Sequence, residues 1–149
     1  MFELELKNPD ELIIHSKDKN VAINVAQSTI NADLRVGTIG GAGEFEIGDL
    51  AISAKPLTEG GIMYRIIVEG VKIGLVGSTA KIEDLDELGP IDILGTSNAK
   101  FVPVIEPKAV IPMGNMDFAE VKASVNVEKK LKIKNANALP PTLEIYKLD

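Results

Sequence analysis

The chain has no cysteine, no tryptophan and a single histidine, His15, in 149 residues. Without thiols it forms no disulfides, offers no thiolate nucleophile, and holds neither an Fe–S cluster nor a cysteine-ligated zinc. With one imidazole it cannot build a site that needs two from the same chain. Aromatics are only 4%, so the core must come from Ile, Val, Leu and Ala, for which an apolar fraction of 45% is ample. No apolar run approaches the ~20 residues of a membrane-spanning helix. Residues 1–7 are acidic and alternating, without the basic start and apolar stretch of a signal peptide. A cytoplasmic protein with no membrane partner is expected.

Positive charge is also short. Lys and Arg number 16 against 22 Asp and Glu, a net charge of −6. Phosphate backbones demand clustered cations, so no nucleic-acid partner is expected. The densest basic stretch is Lys129-Lys130-Leu131-Lys132-Ile133-Lys134. Alternation puts Lys130, Lys132 and Lys134 on one strand face and Leu131 and Ile133 on the other. That pattern suits a solvated, edge-protecting face, with an anion- or partner-binding strip as the rival reading.

What is abundant is strand signal. Phe2, Leu4 and Leu6 alternate with Glu3 and Glu5. Leu12-Ile13-Ile14 and Val21-Ala22-Ile23-Asn24-Val25 flank a polar turn and predict a hairpin. Residues 33–36 are a short apolar candidate, and 37–43, with four glycines, a loop. Strands follow at 44–47, 50–54, 62–68 and 71–76, the last two joined by Glu69-Gly70, a strong two-residue hairpin signal. A short acidic helix is predicted over 82–88, stopped by Gly89-Pro90. Residues 91–94 and 109–111 read as strands buried on both faces. The long-helix candidate is 117–129, with Asp117 as N-cap and Glu120 three residues on, although Val121, Val125 and Val127 are β-branched. Residues 131–134 and 143–148 close the chain as strands. The fold class is α/β, an α+β sandwich rich in sheet and poor in helix, in one domain over 1–149.

Chemical motifs are sparse. The 37–43 glycines precede strand-like Phe45-Glu46-Ile47 rather than a helix, so they read as a turn cluster, not a phosphate loop. His15, at the end of an apolar run, reads as a hydrogen-bonded strand-end residue. Glu83, Asp84, Asp86 and Glu87 read as a solvated helix face, because Leu85 and Leu88 break the oxygen spacing of a calcium loop. There is no Gly-x-Ser-x-Gly elbow.

The order of segments from Gly43 onward resembles small metallo-β-lactamase-fold hydrolases, in the branch that includes the L-ascorbate-6-phosphate lactonases. Gly43-Glu44-Phe45-Glu46-Ile47 is similar to that branch's Pro-Gly-Glu-Tyr-Glu-Val segment. Residues 64–73 resemble its hairpin ending in Asp-Gly, and Leu75-Val76-Gly77-Ser78-Thr79 stands at its His-x-Gly-Asp stretch. Leu88-Gly89-Pro90-Ile91-Asp92-Ile93-Leu94 is similar to its Leu-Gly-x-Ile-Asp-Val-Leu run. Residues 105–113 resemble the Pro-Lys-x-Val-Ile-Pro-Met segment before a ligand histidine, and 131–146 its closing strand pair.

The resemblance implies two packed sheets with helices outside and a metal site at one end. It also implies what is lost. The bridging aspartate after glycine is Ser78, and the histidine after Pro-Met is Gly114. The His-x-His-x-Asp-His loop that should follow Ala32-Asp33-Leu34-Arg35-Val36 is missing, and His15 matches no ligand position. Zinc needs three or four donors at fixed geometry. No metal or other cofactor and no catalytic residue of the family type are therefore expected. Ser78, Thr79, Gly114 and Asn115, with Gly41 and Gly43 of the glycine loop, are the candidate vestigial pocket. The implied role is non-catalytic, by binding or assembly. A homo-oligomer, or a hetero-oligomer with a related active protein, would cover sheet exposed by the missing segment. The rival is a hydrolase with a metal-independent or subunit-shared site, marked by Asp33, Asp49, Asp92 or Asp117 converging with His15.

Overall fold

The computed structural model describes residues 1–17, 19–32 and 39–149. In the first half it places β1 (Phe2–Asn8), β2 (Glu11–His15), β3 (Asn20–Asn24), β4 (Thr29–Ala32), β5 (Ile39–Gly40), β6 (Gly43–Ile47) and β7 (Leu50–Pro56). In the second it places β8 (Ile62–Val68), β9 (Val71–Val76), β10 (Ile93–Thr96), β11 (Ala109–Pro112), β12 (Ser124–Glu128), β13 (Leu131–Ile133) and β14 (Glu144–Leu148). Among the described residues helix is confined to 3-10 turns at Ile82–Glu87, Ala99–Phe101 and Ala136–Ala138 and to one turn of α-helix, α1 (Val102–Ile105). No helix among the described residues is long and apolar enough to cross a membrane.

The strands form two sheets. One has six strands in the order β13-β1-β2-β3-β4-β5, and the other has eight in the order β12-β14-β11-β10-β9-β8-β7-β6. The first is antiparallel throughout. In the second, β9, β10, β11, β14 and β12 run parallel to one another, and β6 to β9 form an antiparallel meander. Glu69 (φ 50°) and Gly70 (φ 80°) make the β8–β9 turn, both left-handed, as a type I′ hairpin requires.

Period-two patterning places the core. Phe2, Leu4, Leu12, Ile14, Val21 and Ile23 face Ile52, Ile66, Ile73 and Ile111 across the sandwich. Full burial of each such aliphatic side chain is worth about 1.5–3 kcal/mol. A second apolar cluster lies on the outer face of the larger sheet. There Val76, Leu94, Val110 and Ile145 meet Leu85, Leu88, Phe101 and Val102 from the helical turns. Alternate residues of β10 and β11 thus enter two different clusters, Ile93 and Ile111 inward and Leu94 and Val110 outward. That double burial explains why both strands are wholly apolar.

Three expectations change. The 82–88 helix is a 3-10 turn at Ile82–Glu87, tethered by Asp84. Its carboxylate accepts from the Lys81 N–H at 2.9 Å and from the Thr58 hydroxyl at 2.6 Å, and these bonds, Thr58 first, hold its pKa below the ordinary value. The 117–129 helix does not form. Asp117 caps only a local turn, accepting from the Ala119 N–H at 3.0 Å, and 124–128 is strand β12. Val125 and Val127 alternate with Ser124, Asn126 and Glu128, a two-residue period that pairs with β14, and β-branching adds to that preference. The 33–36 strand candidate and the start of the 37–43 loop lie outside the described residues, while Ile39–Gly40 is strand rather than loop.

Candidate functional site

Parallel strands β9, β10 and β11 end side by side, so the chain leaving each arrives at one end of the sandwich. In open α/β sheets that carboxyl end is where ligands bind. Here it opens into a cleft of about 400 Å³ between the sheets. Ser78 and Thr79 enter it after β9, and Ser97 after β10. Glu59, Gly60 and Gly61 come from the β7–β8 turn, Ser28 from the β3–β4 turn, and Asp10 from the β1–β2 turn.

The cleft is built by backbone bonds between turns. The Gly114 N–H donates to the Pro9 carbonyl at 2.8 Å, and the Val25 N–H to the Asp10 carbonyl at 2.9 Å. The 9–10 turn is thereby tied to both sheets. Thr79 Oγ1 donates to the Gly60 carbonyl at 3.3 Å. Beneath Ser97, buried Thr96 donates to the Val76 carbonyl at 2.8 Å and accepts from the Asn98 N–H at 3.2 Å, linking the ends of β9 and β10. Ser28 sits at φ 56°, a left-handed backbone unusual for serine.

Among the described residues the lining is hydroxyl, glycine and the apolar Val25 and Ala26, with two carboxylates and no cation. Glu59 is paired with Lys81 at 3.0 Å on the exposed rim. Such a surface suits a neutral polyhydroxylated or amine-bearing molecule better than a phosphate, which needs cations or a helix N-terminus.

The six residues of the vestigial pocket are distributed as follows. Ser78 and Thr79 line the cleft, both exposed. Gly114 lies directly behind it: a β-carbon there would stand 3.2 Å from Ser97 Cβ and 3.8 Å from Asp10 Oδ1. It opens on a neighbouring depression of about 320 Å³. Asn115 is exposed beside it. Gly41 stands in the β5–β6 connection and Gly43 opens β6, and neither lines the cleft; Gly41 faces open space and Gly43 its neighbour Phe45. Asp10, Ser28, Ser97 and Glu59 had no distinguishing sequence motif. Only Ser97 carried a usable hint, following a buried parallel strand as Ser78 does.

The marker of the rival reading is not assembled. His15 bonds to Glu5 and to Asn20 on the small sheet, the latter at 2.9 Å, as expected of a strand-end histidine. Asp92 accepts from the Lys72 N–H at 2.9 Å near the opposite ends of the strands, and Asp49 sits in the β6–β7 turn. Asp33 lies outside the described residues. Among the described residues, no hydrogen bond or ion pair joins these groups, and no three His, Asp or Glu side chains cluster as a metal site would require.

No family model matches the chain, and no curated protein matches it. Among solved structures it is similar to a Thermotoga maritima protein described as a candidate Zn-dependent hydrolase of the metallo-β-lactamase superfamily. The TM-score is 0.71 at 12% identity, covering 100% of both chains. At that identity the likeness is one of fold: this chain is an α+β sandwich of metallo-β-lactamase type, as the order of its segments implied.

Proposed function

We infer that the chain is a non-catalytic, single-domain relative of the lactonase-like branch, lacking the His-x-His-x-Asp-His loop and acting by binding or assembly in the cytoplasm. The observation that carries this reading is the donor set at the strand ends. Where a metal centre of this fold type would be held, the cleft offers Ser28, Ser78, Thr79 and Ser97, with Asp10 and the lysine-paired Glu59 as the only carboxylates among its described lining residues. The chain's one imidazole is on another surface, bonded to Glu5 and Asn20. These residues do not fit zinc, which takes three or four N, S or O donors, so no step through a metal-bound hydroxide is assigned to them. The hydroxyl and carboxylate lining supports a neutral or cationic small ligand.

Elemental analysis of the purified chain, followed by calorimetric titration with zinc and manganese, tests the reading. Neither ion is expected to bind stoichiometrically. One tightly held ion per chain overturns it. A chelator-insensitive esterase or lactonase activity that Ser78→Ala abolishes would favour the alternative, a hydrolase using the cleft hydroxyls beside Asp10.

A further inference from the structure

The edges of the two sheets are treated unequally. β5 is two residues long. β13 presents exposed Lys132 between Lys130 and Lys134, and β6 presents exposed Glu44 and Glu46. Short length and charge both discourage the addition of a foreign strand. The remaining edge, β12, carries one charged residue, Glu128, at its C-terminal end. It is five residues long, without proline or lysine, and its register with β14 is unbroken. Val125 and Val127 are 49% and 62% exposed, two of the five large hydrophobic side chains exposed among the described residues.

The direction of the backbone groups is determined. The Glu128 carbonyl accepts from the Asp149 N–H at 2.9 Å, on the β14 side. Successive residues of a strand turn their N–H and C=O groups to alternate sides. The even-numbered residues of β12 therefore bond towards β14, and those of Val125 and Val127 point out from the free edge. Pairing of Val125 with Ile145 and Val127 with Lys147 puts both valine side chains on the face where Ile145 is buried.

We propose that β12 pairs with β12 of a second copy, antiparallel about a two-fold axis at Asn126, so that the larger sheet runs continuously through a homodimer. In this register Val125 opposes the partner's Val127, and each such pair exchanges both backbone bonds, about four across the axis. It uses the outward groups of both valines. Ser124 meets the partner's Glu128, so no like charges face each other within the ladder. The Asn126 amide is engaged within its own chain, donating to Glu144 at 3.3 Å and the Ile145 carbonyl at 3.2 Å. Self-complementarity of one patch is what an isologous interface requires. The contact is smaller than the ~1,200–2,000 Å² of stable complexes, so the dimer dissociates on dilution. The inference is independent of what occupies the cleft.

Sedimentation equilibrium of the full chain over a dilution series tests it, with circular dichroism confirming the fold of each variant. Wild type is expected to pass from dimer to monomer on dilution. Val125→Glu with Val127→Glu opposes like charges and is expected to weaken the dimer at least about tenfold. Val125→Lys with Val127→Glu opposes unlike charges in this register alone and is expected to recover most of that loss. A chain monomeric at every concentration, a double-glutamate variant that dimerises as wild type does, or a Lys/Glu variant no better than the double glutamate each overturns the proposal.

Discussion

Gly114 is the position where the resemblance places a metal-ligating histidine, and its geometry makes any side chain there costly. Its φ is 56°, and an added β-carbon would lie 3.2 Å from Ser97 Cβ. For an L-residue the left-handed conformation costs about 1–2 kcal/mol. Against this, alanine restricts the unfolded chain and returns about 0.4–1 kcal/mol. The short contact adds a smaller cost, because Ser97 must give way by a few tenths of an ångström. Gly114→Ala is therefore expected to lose about 1 kcal/mol, a fall in Tm of roughly 2–4 °C for a chain of this size. Gly114→Asn, larger but better suited to positive φ, is expected to lose less than alanine, and β-branched Gly114→Val more. A Ser97→Gly background should relieve only the contact part. Thermal unfolding at fixed protein concentration, which keeps any dimer contribution constant, measures all of these. Equal stability of wild type and Gly114→Ala, or a valine variant no worse than alanine, refutes the reasoning. If it holds, Gly114→His with Ser78→Asp will not rebuild a metal centre by itself, since the 9–10 turn bonded to the Gly114 N–H would also have to move.

Two further outcomes follow from buried polar groups. Tyr64 lies in the core, its hydroxyl has no protein partner among the described residues, and burial pushes its pKa up to about 12. Below pH 10 the phenol is neutral in folded and unfolded states alike. Between pH 10 and 12 only the unfolded chain ionises, so this group lowers stability by roughly 1 kcal/mol per pH unit. Tyr64→Phe should abolish that component in urea unfolding at alkaline pH and be neutral or stabilising at pH 7; a loss of 2 kcal/mol or more at pH 7 would contradict the burial of an unpaired hydroxyl. Asp84 is the opposite case. Its pKa is lowered, chiefly by the Thr58 hydroxyl. Its stabilisation is present above the ordinary carboxylate value near 3.9 and disappears as pH falls through the lower folded value. Asp84→Asn should lower Tm at pH 7, with the gap closing towards pH 2; a gap that widens in acid would show the assignment to be wrong.

The elements legible from sequence were those whose signal is local. Glu69-Gly70 announced its turn, and alternation of Phe2, Leu4 and Leu6 with acidic residues announced β1. The misread segment shows the limit. Phe118, Val121 and Val125 fit a helical spacing, while Val125 and Val127 fit a strand, and the choice falls to β14, whose backbone groups pair with 124–128. In the cleft, Ser78 and Thr79 could be named from their place in a segment pattern. Asp10, Ser28 and Ser97 could not, because they come from separate turns that only sheet packing gathers. Gly41 and Gly43 were named because their loop replaces the ligand loop that the resemblance implies, and they do not line the cleft, since place in a segment order does not say towards which end of a sandwich a loop turns.

Composition alone excluded thiol chemistry and any site needing two histidines from one chain, since those depend on atoms the chain does not possess. Alternation of apolar and polar residues determined that it would be sheet-rich, because side-chain period is a local property of a strand. Tertiary structure alone decided which turns share a cleft and which strand was left as a bare edge. Both depend on pairing between residues far apart in the chain, as when β12 closes on β14 and leaves Val125 and Val127 facing outward.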